Sequence, residues 1–263
     1  MRVVTRRKRV LHVNGREVNL GTMYLDDFIC PKCLAAFEVE GKAWERVIQF
    51  YRDDYKAFSQ LFEKEGIDNL LIKEVWNVVN TAIKYRYDTD LMRVADFWLL
   101  PNETWSMGVG DCEDTTFLLA SVIEHIVKNP FEPSFKAEYY AVIGFYRDLN
   151  NNFYGHGYVI YRSKRIYDGW LWIETTFEDP MPQGVWLIWD PERLIPVYFF
   201  NKLNTYRIDR DYQVLGLSKD YVDRFRRYID IMIDYVEMGK ELTIKWMHKG
   251  RRVPETQKMI CTV

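Results

Sequence analysis

Between Ala43 and Phe200 the apolar residues change their spacing once, near residue 130, and that change restricts the fold more than any motif does. Before it they recur at three and four. Trp44, Val47, Ile48, Tyr51, Tyr55, Phe58 and Phe62 predict one amphipathic helix from Ala43 to Glu65, stopped at Gly66. Leu71, Val75, Val78, Val79 and Ala82 predict a second, capped by Asp68. Leu118, Leu119, Val122, Ile123 and Ile126 predict a third, which starts at Asp111 and ends before Pro130. Beyond that point residues 134–146, 153–162 and 170–177 are rich in Tyr, Val, Ile, Phe and Trp and are separated by turn clusters, as strands are. Shorter apolar runs follow at 185–189 and 194–200, and a last helix capped by Ser218 carries Val222, Phe225, Ile229, Met232, Ile233 and Val236. Helices first and strands second predict an α+β fold with an antiparallel sheet, not an alternating β-α-β chain. Residues 8–20 add a hairpin that turns at Asn14-Gly15, a dipeptide suited to two positive φ angles.

No linker, internal repeat or low-complexity tract interrupts the 263 residues. One domain over 1–263 is expected: a hairpin and helix extension over 1–66, a core over 67–205 and a C-terminal helical extension over 206–263. At 48% hydrophobic and 28% charged residues the chain is too apolar for disorder. It has no apolar run long enough for a membrane span, and its basic start lacks the apolar stretch of a secretory signal. A cytoplasmic chain without a membrane partner is the expectation. A net charge of −2 argues against nucleic acid as a partner, although Arg2, Arg6, Arg7, Lys8 and Arg9 at one end and Lys245, Lys249, Arg251 and Arg252 at the other are basic.

Chemistry concentrates between Asp96 and Asp114. Gly108-Val109-Gly110 allows a sharp turn and a close approach, and Asp111 with Asp114 three residues on forms a variant of the capping box. Cys112 then falls in the first turn of a helix, where free amides and the helix dipole favour the thiolate. Asp111, Glu113 and Asp114 act against that, so a cationic partner is needed. Of His12, His125, His156 and His248, His125 lies too far along the same helix, roughly 20 Å from Cys112. His156 stands early in a strand between Gly155 and Gly157, and Glu174 is an acid within the apolar run of the next strand. A hairpin centred near Lys164–Arg165 sets Glu174 opposite or nearly opposite His156, close enough to orient the imidazole. A two-residue turn at Asp168-Gly169 would instead place Glu174 elsewhere. The polar Ser163-Lys164-Arg165 run favours a longer turn over 163–169, with Asp168 and Asp179 as alternative acids.

Cys, His and acid in this order form a thiol-hydrolase constellation. Asp96-x-Trp98-x-x-Pro101-x-Glu103, then Gly108-x-Gly110-Asp111-Cys112-Glu113-Asp114, then Gly155-His156 and an acid after a hairpin, resembles the transglutaminase-like cysteine proteinases of bacteria, in a superfamily with a papain-like core. The resemblance covers about a third of the chain, residues 96–180. It implies a Cys-bearing helix packed on an antiparallel sheet, Cys112 as nucleophile, His156 as general base and acid, and Glu174 where the family usually has Asp. Thr115-Thr116 also depart from the family pattern. It further implies a protein or peptide substrate, a thioester intermediate resolved by water or an amine, and, as in some members, calcium held by Asp111 and Glu113. Carboxylates suit that ion, and helix capping accounts for them without it. The Cys112 amide is one natural oxyanion donor; Trp105 or Asn102 is a candidate for the second.

Cys30-Pro31-Lys32-Cys33 has the spacing of half a zinc site, which His12 or a second subunit would have to complete, or of a labile disulfide. The reading is a cysteine peptidase or amidase that requires no cofactor, with acyl transfer to amines as a close variant. Two rivals stand beside it: a non-catalytic binding module with the same core, and a zinc- or nucleic-acid-associated structural protein. The sequence leaves the oligomeric state open.

Overall fold

A computed structural model describes residues 6–13, 16–92, 97–177, 179–238 and 259–261. A hairpin of β1 (Arg6–Val13) and β2 (Arg16–Tyr24) leads into α1 (Leu34–Asp53), α2 (Tyr55–Glu65) and α3 (Ile67–Ala82). Then come β3 (Lys84–Tyr85), α4 (Asp88–Leu91), α5 (Pro101–Met107), β4 (Val109–Gly110) and α6 (Cys112–Lys128). Six strands follow: β5 (Ala137–Arg147), β6 (Phe153–Ser163), β7 (Tyr167–Ile173), β8 (Val185–Ile188), β9 (Leu194–Phe200) and β10 (Thr205–Arg207). α7 (Ile208–Asp211), α8 (Lys219–Met238) and β11 (Met259–Cys261) close the order. The fold is α+β. β10-β9-β5-β6-β7-β8-β11 form one sheet in that order, antiparallel at every pairing.

β5 is central in the sheet and buried without interruption from Tyr139 to Tyr146, as a strand covered on both faces must be. α6 lies against β5 and β6, and α8 against β5 and β9. The buried apolar side chains join in one cluster from Leu25 to Val236, with Trp76, Trp98, Trp172 and Trp186 among its largest members. Among the described residues no helix is long and apolar enough to cross a membrane.

Two helix expectations need correction. The stretch expected as one helix over 43–65 is two, because Asp54 leaves the helical region at φ −143°, ψ 78°, and its carboxylate caps α2 by accepting the Ala57 N–H at 2.9 Å. The first of them begins nine residues earlier than its apolar stripe suggests, at Leu34. Asp68 is not the cap of α3; Gly66 is, and the Asp68 carboxylate accepts the Phe131 and Glu132 N–H groups at 2.9 and 3.0 Å, tying α3 to the chain after α6. The third expected strand starts and ends earlier, at Tyr167–Ile173. The residues Asn14, Gly15, Arg2, Asp96, Lys245, His248, Lys249, Arg251 and Arg252, and the side chains of Arg6, His12 and Cys261, lie outside the described residues.

Candidate active site

The turn before α6 is built from the outside in. Gly108 takes the left-handed region (φ 63°) and ends α5. The next two residues pair in parallel with Lys84 and Tyr85. The Lys84 and Arg86 N–H groups donate to the Gly108 and Gly110 carbonyls at 2.9 and 3.0 Å. A Cβ on Gly110 would lie 2.8 Å from that of Asp114, so the position needs glycine. The two Asp114 carboxylate oxygens accept the Asp111 N–H at 3.2 Å and the Leu99 N–H at 2.7 Å. Cys112 is thereby fixed as the first residue of α6 and is fully buried.

β6 and β7 are joined by a turn over 164–166 and pair through Tyr161↔Leu171 and Val159↔Ile173. The hairpin is centred at Arg165, as expected, but its turn is only three residues long rather than 163–169, and Asp168-Gly169 lie within β7. Continuing that register sets Glu174 across from Tyr158, one diagonal step from His156. His156 Nε2 and Glu174 Oε2 lie 2.5 Å apart, both side chains fully buried. Glu174 Oε1 accepts the Thr176 N–H at 2.7 Å, and the Glu174 carbonyl accepts the Trp76 indole N–H. Asp168 and Asp179 have no part in this pair, which Glu174 fills. His156 Nδ1 has no hydrogen-bond partner.

Gly157 connects this pair to the helix. It lies beyond the last β6–β7 pairing, and its amide donates to the Cys112 sulfur. A Cβ there would stand 2.8 Å from the Glu113 Cα, so β6 crosses in direct contact with the first turn of α6. His156, the residue before Gly157, carries its ring beside Glu174. The Cys112 thiol itself donates to Glu113 Oε2 at 3.1 Å, not to the imidazole. Burial pushes the thiol well above its ordinary range, and the Glu113 and Asp111 carboxylates push it further; the Gly157 amide pulls the other way.

Asp88 completes a cluster that the sequence reading lacked. Single ligand oxygens of Asp88, Asp111 and Glu113 all lie within 4.8 Å of one another, in buried side chains. One oxygen of each (Oδ1, Oδ1 and Oε1) has no hydrogen-bond partner. Burial raises Asp88 to about 7 and Glu113 to about 8, Glu113 further through its acidic neighbours, and Asp111 rises well above its usual range for both reasons. Buried acids that converge with unpaired lone pairs have the donor chemistry of a hard divalent cation such as calcium. Half-buried Tyr85, on the strand next to Gly110, feels the Cys112, Asp111, Glu113 and Glu174 charges and is another neighbour that no sequence signal marked.

Trp105 and Asn102 face elsewhere. The Trp105 indole N–H donates to Glu38 Oε2 at 2.5 Å, and Asn102 Oδ1 accepts the Ala35 N–H at 2.9 Å. Both line a cavity of about 710 Å³ between α1 and α5, whose walls include none of Cys112, His156 and Glu174. Their hydrogen bonds hold them in that seam, so neither is placed there as the expected oxyanion donor. Cys30 and Cys33 are free thiols with no third ligand beside them among the described residues, where Asp88, Asp111 and Glu113 are the one group of three.

No protein-family model matches the chain, and no curated protein sequence does. Among solved structures it is similar to Legionella pneumophila LapG, at 16% identity and a TM-score of 0.39, over 72% of this chain and 96% of that one. Calcium-bound LapG from the same organism gives 18% and 0.38 over 69% and 98%. The EGTA-treated form gives 18% and 0.35 over 74% and 97%. Likeness at this level assigns neither a fold family nor an activity.

Proposed function

We propose that this protein is a thiol hydrolase, a cysteine peptidase or amidase with a transglutaminase-like core, acting on carboxamide bonds of a protein or peptide. The observation that carries the reading is the buried His156–Glu174 pair, whose free Nδ1 sits one residue from the glycine that holds the Cys112 sulfur. A carboxylate on Nε2 selects the tautomer that leaves Nδ1 as the base and stabilises the imidazolium that forms. Core packing alone gives no reason to bury a carboxyl group this deep, since it costs desolvation unless it is hydrogen-bonded.

In the proposed reaction His156 Nδ1 takes the Cys112 proton and the thiolate adds to the carbonyl carbon. The amide of Cys112, at the positive end of α6, faces the developing oxyanion. His156 returns the proton to the leaving nitrogen, the C–N bond breaks, and a thioester remains. Water activated by the same Nδ1 then releases the acid and restores the thiol. An amine in place of water would make the step an acyl transfer.

The resting thiol is held by Glu113 and kept protonated by burial and by the acids around it. Asp88, Asp111 and Glu113 would hold calcium. When bound, it supplies the positive charge that offsets their effect on the Cys112 thiolate.

The test is site-resolved labelling with iodoacetamide at pH 7, in calcium and in chelator, together with cleavage of an unbiased peptide library read by mass spectrometry. The expected result is calcium-dependent labelling of Cys112, at least tenfold faster than in chelator and lost in His156→Ala, with new peptide termini that Cys112→Ala abolishes. An uncut library, with Cys112 no more reactive than Cys30 in either condition, overturns the reading in favour of a binding module.

A further inference from the structure

The cysteines at 30 and 33 take no part in the chemistry above, yet their setting is a built one. They open and close the turn that leads from the single helical turn Leu25–Phe28 into α1. Pro31 is second in that turn, and the Cys33 N–H donates to the Cys30 carbonyl at 3.2 Å. A turn closed in this way brings its end Cα atoms within about 7 Å, which overlaps the span a disulfide bridges. The two thiols are close enough to act on each other electrostatically. Cys30 is half-buried, whereas Cys33, at the N-cap of the 20-residue α1, is only 8% exposed.

The turn is also held in place from below. The Cys30 N–H donates to Ser121 Oγ of α6 at 2.9 Å, and Phe28 packs on Phe117 and Trp98 with ring centroids 4.9 and 5.5 Å away. Two sulfurs carried at the ends of one fixed turn have little conformational entropy to lose when they join. Zinc would need at least one more protein ligand, and none stands beside the pair among the described residues.

We propose that Cys30 and Cys33 form a reversible dithiol–disulfide couple, in which half-exposed Cys30 meets a low-molecular-weight disulfide and buried Cys33 closes the ring. The Cys30 thiolate bonds to one sulfur of the small disulfide and expels the other half as a thiolate. That thiolate takes the proton of Cys33, whose sulfur then bonds to Cys30 and expels the second half, which takes up the proton Cys30 had lost. Two protein thiols are oxidised and one small disulfide is reduced to two thiols. Burial raises Cys33 to about 11, with the neighbouring Cys30 adding to the rise. In the mixed disulfide Cys30 carries no charge, so that addition disappears at the step where Cys33 must react.

The full chain is equilibrated with graded mixtures of reduced and oxidised glutathione, trapped with an alkylating agent, and cut with a protease that spares Lys32. The peptide spanning both cysteines should lose about 2 Da relative to the dithiol, without alkylation, at the oxidising end of the series and regain both alkyl groups at the reducing end. Cys33→Ser should keep glutathione on Cys30, and Cys30→Ser should leave Cys33 unmodified. A wild-type pair alkylated at both positions throughout overturns the proposal, as does a wild-type chain that keeps glutathione on Cys30 without closing. These two outcomes are read on the unmutated protein, so they hold even if a variant fails to fold.

Discussion

The extra methylene of Glu174 has a geometric reason. Its backbone faces Tyr158, and diagonal neighbours across an antiparallel pair stand farther apart than direct ones, so a glutamate reaches His156 where an aspartate at the same position stops short. Glu174→Asp should therefore lower kcat/KM nearly as much as Glu174→Gln, by a factor on the order of 10² to 10⁴, with the fold retained by circular dichroism. Gly157→Ala places a methyl 2.8 Å from the Glu113 Cα and 3.1 Å from the Cys112 carbonyl carbon. Backbone contacts of that kind do not yield cheaply. The variant should lose about 1–3 kcal/mol in chemical denaturation and should slow Cys112 chemistry. The place of Cys112 at a helix start and the meeting of His156 with Glu174 were legible in the sequence, because residue type, helix start and hairpin register constrain one another there. Asp88 was not, since its approach to Asp111 depends on the parallel β3–β4 contact, and a two-residue strand leaves no periodic trace.

α3 bears more of the site than its apolar stripe implies. Asn77 grips the backbone of Met181 at both ends, its Oδ1 accepting the N–H at 3.0 Å and its Nδ2 donating to the carbonyl at 3.1 Å. Asn80 donates to the Asp179 carbonyl at 3.1 Å. Asn77→Ala should cost about 1–3 kcal/mol, and hydrogen exchange should show the Met181 amide among those that lose protection. On the same helix Lys73 is buried, donates to the Val185 carbonyl and stands 4.0 Å from the Trp76 ring centroid. Burial lowers its ammonium from 10.5 to about 7, against the opposing pull of Glu65 and Glu74. Between those values the unfolded chain binds the proton that the folded chain has shed, so this group makes stability rise with pH, by up to about 1.4 kcal/mol per unit. Subtracting the denaturation profile of Lys73→Met from that of the wild type at pH 7 to 9 should isolate the slope. Apolar spacing revealed α3 as a helix but hid this polar ladder, because Lys73, Asn77 and Asn80 read as a solvated face until the segment after Glu174 covers them. The same spacing missed the break at Asp54, where apolar residues continue in phase on both sides of a polar cap.

For the whole molecule, calcium held by Asp88, Asp111 and Glu113, as proposed, would be a folding ligand as well as an aid to chemistry. At a hundredfold excess over its Kd, calcium should add about 2.7 kcal/mol and raise Tm on the order of 5 °C. Asp88→Asn should abolish the shift while keeping an oxygen for the Phe97 N–H, which Asp88 Oδ2 now accepts. The order of helices before strands was enough to anticipate an α+β fold. It could not anticipate how far the parts that matter are indexed to one body. The chain leaving α3 carries the Lys84 and Arg86 amides that hold the loop before Cys112, and α3 itself holds the Glu174 carbonyl through Trp76. Cys112 and Glu174, the proposed nucleophile and acid, are thus both gauged from a single datum, as two machined holes are from one reference edge. A drift of α3 through the core carries both along together, and the spacing between them, which chemistry would feel, changes only to second order.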